Sequence, residues 1–190
     1  MRLNCASGNA AHHSADSGHQ IPDNLLRHVR LIAFLAPLLF SIPGFAQGNA
    51  KADRLVVAKS ARTLTLERNG EPIRIYAVAL GARPAGHKLQ QGDERTPEGV
   101  YSIDARNADS AYHLSLRISY PNEEDRRQAA ARGVDPGGEI MIHGMGSAVS
   151  RMGPLHPRFD WTDGCVAVTD EEMDEIWKLV DIGTPIEIKP

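Results

Sequence analysis

Aromatic residues are scarce in this chain, and neither sign of charge is in marked excess. Phenylalanine, tryptophan and tyrosine make up 5% of the 190 residues, which argues against the stacking platforms that bind single-stranded nucleic acid. Lysine and arginine total 21 against 24 aspartates and glutamates, for a net charge of −3. This balance provides neither a basic surface for nucleic acid nor a polybasic patch for a membrane.

The N-terminal region has the parts of a secretory signal. Residues 1–23 are polar and lack periodicity, which predicts disorder. Basic residues then precede a short apolar run (31–40), and Gly44 and Ala46 occupy the −3 and −1 positions of a cleavage site. We therefore predict that residues 1–46 are a signal peptide with a disordered extension. An uncleaved membrane anchor is the alternative, although the apolar run 31–40 is shorter than the roughly 20 residues a span needs.

Cysteine is also scarce, with only Cys5 and Cys165 in the chain. Cleavage after Ala46 would remove Cys5 and leave one thiol in the exported protein, which we expect to be periplasmic. Exported proteins usually pair their cysteines or lack them. The remaining Cys165 is therefore a candidate reactive thiol.

Residues 52–190 are predicted to form one domain that is mainly β. Two apolar segments flank Asn69-Gly70, a dipeptide typical of a type I′ hairpin turn. Strands are predicted at Arg54–Lys59, Thr63–Arg68, Ile73–Leu80, Val100–Asp104, His113–Tyr120, Glu139–His143 and Pro185–Ile188.

Two peripheral helices are expected beside these strands. The first covers Asn122–Arg132 and ends at Gly133. The second begins with a capping box of Thr169 and Glu172 and ends at Gly183. Its apolar residues follow the spacing of a buried face, namely Met173, Ile176, Trp177 and Val180.

Two segments carry residues suited to thiol chemistry. An apolar strand ends in His143, and a polar turn runs through Gly164 into Cys165. A thiolate is a nucleophile, and a nearby imidazole lowers the pKa of the thiol and later protonates the leaving amine. Gly164 allows a carbonyl to approach closely, and the amides of Gly164 and Cys165 can hold an oxyanion. A buried inert cysteine and a merely structural histidine remain the alternative.

These motifs resemble the YkuD-type L,D-transpeptidases, in particular their YafK-like and ErfK/YbiS/YcfS/YnhG-like subgroup. The family has His followed by Gly or Ser, and after a variable spacer Ser/Thr-x-Gly-Cys, which His143-Gly144 and Thr162-Asp163-Gly164-Cys165 match. Segment 92–101, GDERTPEGVY, is similar to the family's TPxGxY stretch. Segment 166–173 is similar to its continuation into a helix. The resemblance spans residues 54–190.

The resemblance implies a β-sandwich or barrel-like fold and an enzyme that acts on peptidoglycan stem peptides. Cys165 would attack the carbonyl of the third stem residue, a diamino acid, and expel the terminal D-Ala. His143 would act first as base and then as acid, with the Gly144 carbonyl fixing its tautomer. The acceptor would be an amine of a second stem or of a wall-attached protein. No metal and no organic cofactor are implied.

Besides Gly164, the residues expected to bind the oxyanion or the substrate are Thr162, Asp163, Arg95 and Tyr120. Arg95 lies in the TPxG-like segment, where it either binds a stem carboxylate or is a solvated loop charge. Tyr120 precedes a proline and either forms a turn or lines the cleft. Trp161 is predicted to pack under the catalytic turn, with substrate contact as the alternative. The chain has no Cys-x-x-Cys and no helical His-x₃-His pair, which argues against a metal site.

The chain departs from the family at two positions beside the thiol. Asp163 stands where many members have His or Lys, and Ala167 where many have Arg or Asn. An inward-pointing carboxylate raises the pKa of a thiol, and a missing basic residue removes a contact to a substrate carboxylate. A cysteine hydrolase of the same fold, which trims stems or releases wall-attached protein, is therefore an alternative. A non-catalytic cell-wall-binding module is a second one.

Overall fold

The computed structural model of the protein describes residues 51–149, 155 and 157–190. The predicted signal peptide (1–46) and Cys5 lie outside these residues. None of the helices within the described ranges is long and apolar enough to cross a membrane.

Eight strands in the described part of the chain form one mixed sheet, in the order β3-β2-β1-β8-β4-β5-β6-β7. Their bounds are β1 (Arg54–Ala58), β2 (Thr63–Arg68), β3 (Glu71–Ala77), β4 (Gly99–Ser110), β5 (His113–Ile118), β6 (Met141–His143), β7 (Val166–Ala167) and β8 (Pro185–Lys189). Neighbours pair antiparallel, except that β1 is parallel to β8 and β6 is parallel to β7. The prediction of a mainly β domain is confirmed.

The two ends of this sheet meet. Ala79, two residues after β3, exchanges backbone hydrogen bonds of 3.0 and 2.9 Å with Ala167 in β7. The long strand β4 links the two halves, because its start pairs with β8 and its later part pairs with β5. The sheet therefore closes in the predicted barrel-like manner. Its core contains fully buried aliphatic side chains, including Leu55, Leu64, Ile103, Leu116, Ile142 and Ile186.

Residues with positive φ explain two strand boundaries, one that agrees with the prediction and one that differs from it. Asn69 and Gly70 have φ of 52° and 80°, as a type I′ turn requires, and join β2 to β3. The strand expected to begin at Glu139 begins instead at Met141. Gly137 and Glu139 have φ of 74° and 54°, which bends the chain out of the extended conformation before β6.

Three helices accompany the sheet in the described residues: α1 (Glu123–Arg132), the single turn α2 (Gly146–Val149) and α3 (Asp170–Leu179). Both predicted peripheral helices, α1 and α3, are present. The side chain of Asn122 caps α1, and Thr169 and Glu172 form the predicted capping box of α3. Gly133, with φ of 67°, ends α1 as expected.

Helix α3 ends at Leu179, before the predicted stop at Gly183. Val180 is already extended, with φ of −116° and ψ of 126°, whereas Gly183 had been expected to stop the helix. Arg106 reaches the helix end from β4 and donates to the carbonyl oxygens of Trp177 and Val180, each at 2.8 Å. The orphan carbonyls of the last turn are thus satisfied by a distant side chain, which no local pattern reveals.

Candidate active site

Cys165 and His143 reach the same cleft because β6 and β7 are neighbours. In this parallel pair, His143 lies opposite Ala167. Cys165 immediately precedes β7 and is therefore level with Met141, two residues before His143. Since side chains alternate along a strand, those of Cys165 and His143 project from the same face. Both line a cleft of about 590 Å³.

The imidazole of His143 is held in one tautomer. Its Nδ1 lies 2.6 Å from the Gly144 carbonyl oxygen. A carbonyl oxygen only accepts hydrogen bonds, so Nδ1 carries the proton of the neutral ring and Nε2 carries the lone pair. The ring is buried and lies against that of Tyr112, with 4.6 Å between centroids. His143 is therefore an oriented base whose Nε2 can accept a proton.

Asp170, the first residue of α3, fixes the loop that follows His143. Its Oδ1 accepts hydrogen bonds from the backbone amides of Met145 at 2.6 Å and Gly146 at 3.1 Å. A Cβ on Gly144 would lie 2.4 Å from the same oxygen, so a larger residue does not fit there. The loop and α3 are 25 residues apart in the chain, and no sequence pattern indicated their contact.

Thr162 closes the turn that precedes Cys165. Its Oγ1 donates to the Cys165 carbonyl oxygen at 2.8 Å and accepts from the Gly164 amide at 3.1 Å. The Gly164 amide, predicted as an oxyanion donor, is thus already occupied. The requirement for glycine is steric instead. Gly164 has φ of 132°, and a Cβ there would lie 2.6 Å from the carbonyl oxygen of Arg95.

Opposing effects set the pKa of the Cys165 thiol. Burial is the largest and raises the pKa above its usual value, while a hydrogen bond from the Met141 amide lowers it. The negative charge of Asp163 raises the pKa, as the sequence predicted, and the positive charge of Lys88 lowers it. The net effect is an increase, so the thiol is protonated at neutral pH. It donates weakly to the carbonyl oxygen of Glu139, 3.5 Å away.

The family of this chain follows from comparison with known proteins. The sequence profile of the YkuD family, described as the L,D-transpeptidase catalytic domain, matches residues 52–188. The chain belongs to this family. A relative in Escherichia coli strain K12 is YafK, named as a candidate L,D-transpeptidase, which is 32% identical over 130 residues. That match covers 65% of this chain but only 45% of YafK, so the chain spans about half the length of this relative.

Solved structures show the same fold for this L,D-transpeptidase domain. The helical cell shape determining protein Pgp2 of Campylobacter jejuni has a TM-score of 0.56 and 21% identity, covering 74% of this chain and 49% of Pgp2. Bd1075 of Bdellovibrio bacteriovorus has a TM-score of 0.52 and 28% identity, covering 73% of this chain and 48% of Bd1075.

Two predicted substrate-binding residues of the L,D-transpeptidase domain lie away from the cleft. The guanidinium of Arg95 donates to the His87 carbonyl oxygen at 3.3 Å, and only the backbone of Arg95 packs near the thiol, against Gly164. Tyr120 is 6% exposed, and its hydroxyl donates to the Pro136 carbonyl oxygen at 3.0 Å. Neither side chain lines the cleft.

Other residues enter the cleft. Trp161 lines it, with its ring centroid 5.8 Å from that of His143, so it packs beside the turn that precedes Cys165 and faces the cleft. Lys88 and Tyr112 line it as well and were not predicted. The one sequence signal for Lys88 was its place just upstream of the TPxG-like segment. Within the described residues, no group of His, Cys, Asp and Glu side chains is arranged to hold a metal ion.

Replacing Gly164 with alanine is expected to destabilise the domain. The new Cβ would meet the Arg95 carbonyl oxygen, and the backbone conformation itself disfavours a side chain, at a cost of about 1–3 kcal/mol before the clash is counted. Gly70→Ala is the matched control, because Gly70 also has positive φ but has no atom near the added Cβ. Urea unfolding measures the free energy of unfolding of both variants. Equal losses in free energy of unfolding would contradict the steric role of Gly164.

Asp163→Asn is expected to lower the pKa of the Cys165 thiol. The negative charge of Asp163 opposes ionisation of the thiol, so its removal increases the fraction of thiolate at neutral pH. The rate of alkylation by iodoacetamide, followed by intact mass in a Cys5→Ser background, should therefore rise at neutral pH, and its midpoint should move to lower pH. Asp109→Asn, at an exposed position outside the cleft, serves as control. An unchanged profile would show that Asp163 does not act on the thiol.

Proposed function

We propose that this protein is an exported L,D-transpeptidase that uses Cys165 as its nucleophile on peptidoglycan stem peptides. The observation that carries the proposal is the shared cleft of Cys165 and His143, with His143 oriented by the Gly144 carbonyl. Membership of the L,D-transpeptidase family supports the same reaction class. The donor and acceptor are proposals drawn from this site and from the resemblance of its motifs.

Acylation begins with a neutral thiol, since its pKa is raised. His143 Nε2 takes the thiol proton as the Cys165 sulfur attacks the carbonyl carbon of the third stem residue. The C–S bond forms, and the C–N bond to the terminal D-Ala breaks. The imidazolium then protonates the departing amine, which leaves a thioester on Cys165 and a neutral His143.

The developing oxyanion requires hydrogen-bond donors. Because the Gly164 amide is taken up by Thr162, we assign this role to the amide of Cys165. In the second half-reaction an acceptor amine attacks the thioester, loses its proton to His143 Nε2 and forms the new amide while the thiol is restored. Water in place of the amine gives hydrolysis, which shortens the stem without forming a cross-link.

Export to the periplasm is supported by the signal-like N-terminal segment, and its cleavage can be tested directly. Protein recovered from the periplasm of a Gram-negative host should begin at Gln47, as read by N-terminal sequencing. Ala46→Tyr should block processing, because signal cleavage requires a small residue at −1, whereas Ala50→Tyr should not. A full-length chain retained in the cytoplasm would contradict export.

Replacing Cys165 should abolish acylation, and replacing His143 should slow it. A purified chain incubated with a tetrapeptide stem should gain the mass of the tripeptide acyl group on Cys165, and Cys165→Ala should gain none. His143→Gln should slow acylation by about 10²- to 10⁴-fold, the usual contribution of a general base. His113→Gln is the control, since this partly exposed histidine pairs with Asp174 outside the cleft.

Muropeptide analysis with and without the protein then separates the possible outcomes. New links between diamino acids identify transfer, whereas shortened stems or released wall protein identify hydrolysis. Wall activity that survives in Cys165→Ala would overturn the nucleophile assignment. Binding to the wall without any acyl adduct would favour a non-catalytic module.

A further inference from the structure

Two lysines within the described residues are almost fully buried, and the first uses all of its hydrogen-bond donors. Lys59 is 4% exposed. Its Nζ donates to the carbonyl oxygens of Gly86 at 2.6 Å and Thr96 at 2.9 Å, and to Oε1 of Glu98 at 2.8 Å. An ammonium has three N–H donors, so Lys59 is satisfied by the protein alone.

Lys88 is 3% exposed and is satisfied only in part. Its Nζ donates to the Gln90 carbonyl oxygen at 3.2 Å and to Oδ1 of Asp93 at 2.8 Å. These are its two hydrogen bonds to described residues. Because the ammonium has three donors, one of them lacks a partner among those residues. A buried charge with an unused donor is costly unless a ligand completes it.

Asp93 does not depend on Lys88 for its own satisfaction. Its Oδ2 accepts from the amides of Leu89 at 2.7 Å and Gln90 at 3.2 Å, and its Oδ1 accepts from the amide of Arg95 at 3.2 Å. Three backbone donors therefore hold this carboxylate in the loop. Asp93 is thus fixed by the backbone and in turn holds the Lys88 ammonium in place.

The ammonium is held beside the candidate nucleophile. Lys88 lines the same cleft as Cys165, and its charge acts on the thiol. Among the described residues that line this cleft Lys88 is the only cation, whereas Glu94, Glu139 and Asp163 are acidic. Ala167, two residues after the thiol, is fully buried and adds no charge.

We propose that Lys88 binds the free C-terminal carboxylate of the donor stem, on the residue that departs during acylation. This inference rests on the proposed function. The departing residue is terminal, so its carboxylate is two bonds from the scissile nitrogen and enters the cleft with the scissile bond. A carboxylate bound to a buried ammonium forms a charge-assisted hydrogen bond, and extension or amidation of the stem removes that charge from this position. Lys88 thus selects stems that end one residue after the diamino acid.

The test compares two donors that differ in one charge. Acylation of Cys165 in the full chain is followed by intact mass with a tetrapeptide stem that ends in a free carboxylate, and with the same stem as its C-terminal amide. The wild-type protein should prefer the acid by about ten- to hundred-fold in kcat/KM, the usual effect of one charge-assisted hydrogen bond. Lys88→Met should lose this preference by slowing the reaction of the acid far more than that of the amide, since the effect of the Lys88 charge on the thiol is common to both donors. Lys88→Arg should keep part of the preference.

Lys178→Met is the matched control, because Lys178 is an exposed lysine on α3 and does not line the cleft. It should retain the wild-type preference. Urea unfolding of Lys88→Met checks the loop, which should stay folded because Asp93 keeps its three backbone donors.

Three results would overturn the inference. A wild-type protein that acylates with acid and amide equally well has no carboxylate site. Equal slowing of both donors in Lys88→Met would mean that the lysine acts through the thiol or the loop. Absence of acylation with either donor would overturn the proposed function, and this inference with it.

Discussion

The arrangement of the candidate site depends on a strand of only two residues. β7, Val166–Ala167, is hydrogen-bonded to β6 on one side and to Ala79 on the other. So short a strand has little stability alone, and pairing on both sides removes its freedom to shift. The amide of Val168 also donates to the His143 carbonyl oxygen at 3.0 Å. One ladder thus sets the positions of both Cys165 and His143, the candidate nucleophile and base. A slip of one residue would turn Cys165 to the opposite face.

Short polar side chains hold the loops around this ladder. Asp93, Thr162 and Asp170 each accept hydrogen bonds from backbone amides, and each holds a different loop. Asn, Asp, Ser and Thr suit this task because their oxygens reach nearby backbone groups without a long flexible stem. Each loop therefore keeps its shape without a regular element of its own.

Much of the fold was predictable because its signals are local. The turn at Asn69-Gly70, the capping box of Thr169 and the apolar face of α3 each depend on residues within a few positions of one another, and all three are present in the structure. The early end of α3 was missed because Arg106, more than 70 residues away, supplies the missing donors. The sequences around Ala79 and Ala167 likewise contain no pattern that predicts the hydrogen bonds between them.

The sequence alone determined the family, the elements and the candidate Cys165–His143 pair, because a short motif carries the residue types that thiol chemistry requires. Only the tertiary structure decided which neighbours complete the cleft. The side chains of Arg95 and Tyr120 donate to backbone carbonyl oxygens and do not line the cleft, whereas Lys88 lines the cleft with one donor unused by the described residues. The physical reason is that a side chain's role follows from which hydrogen bonds the fold leaves open. Those bonds join residues far apart in the chain, so no local pattern encodes them.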